Sequence, residues 1–101
     1  MRMLVDISMP LEPFNARVKD GTAGKIIESI LAELKPEAAY FTARNGMRGG
    51  TIVIDMADAS KIPSIAEPFF LHFNASVTFL PCMTPQDLAK AGLEEIGKKY
   101  R

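Results

Sequence analysis

The segment Ala38–Met56, AAYFTARNGMRGGTIVIDM, decides the fold. Asn45-Gly46 at its centre is the residue pair that best tolerates the positive φ angles of a type I′ turn, so the segment reads as a β-hairpin with a two-residue loop. That loop fixes the register. Arg44 pairs with Met47, Tyr40 with Thr51 and Ala39 with Ile52, and Phe41 falls opposite Gly50. Side chains alternate along a strand, so Phe41, Ile52, Ile54 and Met56 gather on one face. Tyr40, Thr42, Arg44, Thr51, Val53 and Asp55 gather on the other. The Gly49-Gly50 pair suggests a bulge or bend near the hairpin.

Outward from the hairpin, Met3–Met9 alternates apolar residues (Met3, Val5, Ile7, Met9) with Leu4, Asp6 and Ser8, the pattern of a half-buried strand that Pro10 ends. Leu11, Phe14 and Val18 at i, i+3, i+7 predict a first helical piece. After Asp20-Gly21, the residues Ile26, Ile27, Ile30, Leu31 and Leu34 predict a second, capped by Thr22 or Asp20 and stopped by Pro36. Downstream of the hairpin, Ile62, Ile65, Ala66, Phe69 and Phe73 form a helical stripe with Ser60 as N-cap and Pro63 in the first turn, and Pro68 predicts a kink. Residues 75–83, ASVTFLPCM, read as a strand placed at a sheet edge by Pro81, with Ser76, Thr78 and Leu80 on one side. Thr84, Pro85 and Asp87 start one final helix.

The order β-α-β-β-α-β plus a C-terminal helix predicts an α+β, ferredoxin-like single domain over residues 1–101, with an antiparallel sheet in the order 4-1-3-2. Both long helical regions then cover one face. The other carries Leu4, Asp6, Ser8, Tyr40, Thr42, Arg44, Thr51, Val53, Asp55, Ser76, Thr78 and Leu80.

Composition narrows the function classes. Twelve basic and twelve acidic residues cancel, which removes the field that would hold nucleic acid or an anionic membrane. One cysteine, Cys82, supports neither a disulfide framework nor a cysteine zinc site and reads as a small buried thiol. No segment has the apolar length of a membrane span, and the N-terminal residues lack a signal-peptide pattern. A cytoplasmic location is the resulting expectation. The stretch DGTAGK, Asp20–Lys25, has the wrong glycine spacing for a P-loop and lacks the Ser or Thr after the lysine. It reads as a helix start.

The stretch GGTIVIDMADASKIPSIAEPFFLHFNASVTFLPCMTPQDL, residues 49–88, resembles the dimeric α/β-barrel superfamily, whose ferredoxin-like subunits pair through their sheets. ELKPEAAYFT (33–42), SKIPSIAEPFF (60–70) and MTPQDLAKAG (83–92) are similar to a group of short bacterial proteins of about this length to which no activity is assigned. The general layout is distantly similar to muconolactone isomerase, without a catalytic motif that maps onto these positions. The resemblance implies a homodimer joined sheet to sheet. Fold alone does not assign a reaction.

Such pairing would enclose a partly polar cavity, a common setting for a small ligand. The candidate ligand-facing residues are Asp6, Tyr40, Arg44, Asp55 and Thr78, with His72 at the rim. Asp6 and Asp55, shielded between two sheets, would have raised pKa values suited to proton transfer. Tyr40 would donate a hydrogen bond, and Arg44 would hold a substrate carboxylate. His72, the sole histidine, lies at the border of the helix stripe, where a packing role is the simpler reading. No metal or cofactor is expected. The favoured function is small-molecule binding. The alternatives are a cofactor-independent isomerase or monooxygenase acting on a small aromatic or lactone-type substrate, and a purely structural dimer.

Overall fold

A computed structural model describes residues 1–101. The chain forms an α+β fold with β1 (Arg2–Met9), α1 (Leu11–Lys19), α2 (Ala23–Leu34), β2 (Ala38–Arg44), β3 (Met47–Asp55), α3 (Ile62–Phe73), β4 (Ser76–Pro81), α4 (Pro85–Lys90) and α5 (Leu93–Lys99). The four strands make one sheet in the order β2-β3-β1-β4, which read from the opposite edge is 4-1-3-2. Every neighbouring pair is antiparallel. This architecture is compatible with a ferredoxin-like arrangement. No helix is long and apolar enough to cross a membrane.

The hairpin turn has Asn45 at φ 52° and Gly46 at φ 74°, the two positive angles that a type I′ turn demands. Its register is the one the two-residue loop dictates, from Arg44↔Met47 to Ala38↔Val53. The consequence is a sheet with two unlike faces. Met3, Val5, Ile7, Met9, Ile52, Ile54 and Met56 are buried against Ile30 of α2 and Ile65, Phe69 and Phe73 of α3. Full burial of each large apolar side chain contributes about 1.5–3 kcal/mol relative to exposure, which makes this face the source of cohesion. Phe14 of α1 stacks on Phe73 with ring centroids 4.7 Å apart. The Arg48 guanidinium covers the Phe14 ring at 4.5 Å and donates to Asn15 Oδ1 at 2.8 Å, tying α1 to the hairpin.

The paired glycines do not form a bulge. The β1–β3 register runs unbroken from Met9↔Arg48 through Ser8↔Gly49 and Ile7↔Gly50 to Arg2↔Asp55. They instead mark two close approaches on opposite faces. A Cβ at Gly50 would lie 2.7 Å from the Tyr40 carbonyl oxygen and 2.8 Å from the Phe41 ring. A Cβ at Gly49 would lie 2.9 Å from the Ile7 carbonyl oxygen and 3.4 Å from the Arg44 guanidinium.

Several local expectations are corrected. Leu11 and Val18, assigned to an apolar stripe, are exposed, because α1 is short and touches the core mainly through Phe14, and Ile62, the first residue of α3, is exposed as well. Ser60 is not the cap before α3. Asp58 accepts the Ser60 amide at 2.8 Å and starts a single 3-10 turn, Ala59–Lys61, that leads into the helix. At the start of α2, Thr22 occupies the N-cap position but neither its side chain nor that of Asp20 takes a first-turn amide; Asp20 accepts the Thr22 amide at 2.9 Å. The final helix is two helices, separated where Gly92 takes a left-handed φ of 74°. The Thr84–Asp87 capping box starts the first of them. Cys82 is partly exposed, because it follows the last residue of the edge strand.

The glycines yield a stability prediction. Gly50→Ala forces the Tyr40 backbone or the Phe41 ring to move and should destabilise the chain by about 1–3 kcal/mol. Gly24→Ala, on a helix with nothing within 4 Å of the added carbon, should stabilise it by up to about 1 kcal/mol. Urea denaturation of the two variants checks both signs.

Candidate functional site

The sheet face without helices is organised in rows. Thr78, Asp6, Thr51 and Tyr40 are direct partners across the four strands, and next to them run Leu80, Leu4, Val53 and Ala38. Ser76, Ser8, Gly49 and Thr42 form the row on the other side. A polar row therefore lies between an apolar row and a row of small residues. Apart from Gly49, no residue in these rows is buried, and Tyr40 is 71% exposed.

Arg44 gives the face its centre. Its backbone pairs with Met47 at the turn end of β2, and its side chain crosses β3 to reach Asp6 on β1. Nη1 donates to Asp6 Oδ2 at 3.0 Å and Nη2 donates to Asp6 Oδ1 at 2.6 Å, the paired geometry suited to a planar guanidinium and a carboxylate. Gly49 supplies the path, since a side chain there would occupy space beside the guanidinium. Thr51 donates to Asp6 Oδ1 at 3.0 Å. The side chains of Arg44 and Asp6 keep 45% and 35% of their surface exposed, so the pair is reachable from solvent.

The raised pKa expected for Asp6 belongs to a carboxyl shielded between two sheets, and in the single chain the balance runs the other way. The hydrogen bond from Arg44 holds the Asp6 carboxyl below its ordinary pKa, assisted by Thr51 and outweighing partial burial. Asp6 in turn raises the pKa of Arg44, chiefly through the same hydrogen bond. In the single chain Asp6 is thus an ionised acceptor, and Arg44 is paired with it.

The other candidates divide. Tyr40 and Thr78 share the row with Asp6. Asp55 is on the same face but pairs with Arg2, four residues along the strand from the Asp6–Thr51 pair and about 13 Å away at strand rise. It forms an ion pair with the Met1 amino group at 3.0 Å, so Asp6 and Asp55 do not make a carboxylate dyad. His72 belongs to α3, on the opposite side of the sheet. It is exposed and borders a groove of about 670 Å³ between α2 and α3, with Lys25, Ser29, Glu67 and Leu71. The sheet separates it from the other five. No three His, Cys, Asp or Glu side chains come together as metal ligands.

Thr51 and Gly49 are the site residues the sequence did not single out as ligand-facing. The hairpin register already placed Thr51 beside Tyr40. The missing information was the β1–β3 register, which brings it to Asp6.

No family description matches the chain, and no curated protein matches it.

A pH prediction follows from Asp6. A carboxyl whose folded pKa is lowered contributes stability above its unfolded pKa, near 4, and that stability is lost as pH falls through the folded value. Asp20, Asp58 and Asp87 are lowered as well by hydrogen bonds from Thr22, Ser60 and Thr84. Asp6→Asn should therefore flatten, without abolishing, the acid limb of the melting-temperature profile below about pH 4. A variant profile parallel to that of the parent chain would contradict the assignment.

Proposed function

We propose that the chain is a homodimeric small-molecule-binding protein of the dimeric α/β-barrel kind, with its ligand held on the open sheet face between two copies. The observation that carries this reading is the Arg44–Asp6–Thr51 cluster, assembled on an uncovered face across a glycine that leaves room for it. The face is shallow in the single chain, whose main grooves lie between α2 and α3 and within the C-terminal helices. A second sheet laid over it would convert it into a cavity.

The cluster also indicates the ligand class. An ion pair has no net charge, so a free anion gains little from it and meets the ionised Asp6. Arg44 has five N–H donors, of which three are engaged, two by Asp6 and one by the Gly50 carbonyl oxygen at 3.4 Å, leaving two. A guanidinium donor beside a carboxylate acceptor suits a neutral molecule with a carbonyl next to a hydroxyl. The apolar row of Leu4, Val53 and Leu80 suits an aromatic or lactone ring. Proton transfer by Asp6 is not part of the proposal, because a carboxylate held ionised is a poor acid and a weak base.

Two measurements test the reading. Light scattering at micromolar concentration should find two chains per particle, and Val53→Arg, which places a charge in the apolar row, should weaken that association with the fold retained. In thermal-shift assays, hydroxybenzaldehydes, quinols and hydroxylactones are compared with matched benzoates. A neutral ligand at about a hundred times its Kd should raise Tm by roughly 10 °C or more. Arg44→Ala and Asp6→Asn should each remove that shift. A dimer that responds to none of these compounds supports the structural-dimer alternative, and a monomer ends the proposal.

A further inference from the structure

The C-terminal helices do not belong to the core. The chain has a radius of gyration of 17.1 Å and extends over 60 × 28 × 19 Å, whereas a compact domain of this length has a radius of about 13 Å. Neither α4 nor α5 contains a buried residue, and neither makes an extended contact with another element. Yet Leu93, Ile96 and Tyr100 follow the i, i+3, i+7 spacing of an apolar stripe, about 10 Å long. Leu93 is 59% exposed and Tyr100 is 83% exposed. Helices of six and seven residues are not stable alone in water and take their stability from packing.

The surface of this arm is complementary to itself. Between α4 and α5 lies a crease of about 570 Å³, lined by Leu88, Ala89, Gly92 and Leu93 and bordered by Glu94 and Glu95. Beyond it projects Tyr100, next to Lys98 and Lys99 in the last turn. An apolar knob with basic neighbours and an apolar hollow with an acidic border occur on one segment. We infer that α5 pairs antiparallel with α5 of a second copy, each Tyr100 entering the crease of the other arm and Lys98 and Lys99 facing the second copy's acidic border. A twofold axis makes both halves of such a contact identical, so one surface serves as both partners. The exposed Lys98–Glu95 ion pair within the helix, at 3.0 Å, contributes little and does not oppose the exchange.

This contact is separate from the sheet face, and the experiment keeps the two apart. Amide hydrogen exchange is measured over residues 93–99 of the full chain at two concentrations. The parent should show protection of at least about tenfold that grows with concentration. Glu94→Lys with Glu95→Lys, and separately Lys98→Glu with Lys99→Glu, should each lose it, and an equimolar mixture of the two variants should regain it. Leu93→Asp with Ile96→Asp should lose it, with the exchange of β1 and β3 unchanged. Val53→Arg should leave it intact whether or not the sheet faces associate. Unprotected arm amides in the parent, or protection that survives both charge-changed variants, would overturn the inference.

Discussion

The register of the β2–β3 hairpin is the constraint on which the rest of the molecule depends. The two positive φ angles at Asn45 and Gly46 allow only a tight turn, and the turn determines which residues face which way along both strands. A slip of one residue would send Ile52, Ile54 and Met56 to the outer face and Thr51, Val53 and Asp55 to the core. Two charged or polar groups would then be buried without partners, at a cost of several kcal/mol. The apolar face and the open polar face are therefore consequences of one local decision.

The glycines at 49 and 50 extend that decision to both faces of the sheet. Gly50 lies under Phe41 on the helix side, and Gly49 lies under the Arg44 guanidinium on the open side. One dipeptide thus leaves room for the part-exposed Phe41 ring on one side and opens the route for the only side chain that bridges β2 to β1 on the other. The resulting ion pair is half in water, so its contribution to stability is modest. Its more distinctive property is directional: it presents fixed donors and acceptors on a face that would otherwise be a set of unlinked Thr and Ser hydroxyls.

Legibility in the sequence followed the range of the interaction involved. The strands, the hairpin register, the edge position of Pro81 and the capping box at Thr84 all rest on local chemistry, and the structure contains each of them. The Arg44–Asp6 bond spans 38 positions in the chain, and its effect on the Asp6 pKa is opposite in sign to the one burial alone suggests. Composition could not show it. His72 was ambiguous for a similar reason: a helical angle gives its distance from a stripe, not the side of the sheet on which the helix lies. The break at Gly92 was hidden by an otherwise good helical sequence, and with it the separation of the arm from the core.

The chain carries no net charge and leaves one mixed sheet face uncovered by its own helices, so a ligand of that face would be held by shape and hydrogen bonding rather than by field. The most direct check is the relaxation of methyl protons by a soluble gadolinium chelate, recorded at a concentration where particles of two chains predominate. The account predicts that the methyl groups of Leu4, Val53 and Leu80 are shielded, while Leu71, which is 78% exposed on the helix side, relaxes rapidly. Equal, rapid relaxation of all four would mean that water, not a second copy, covers the open face.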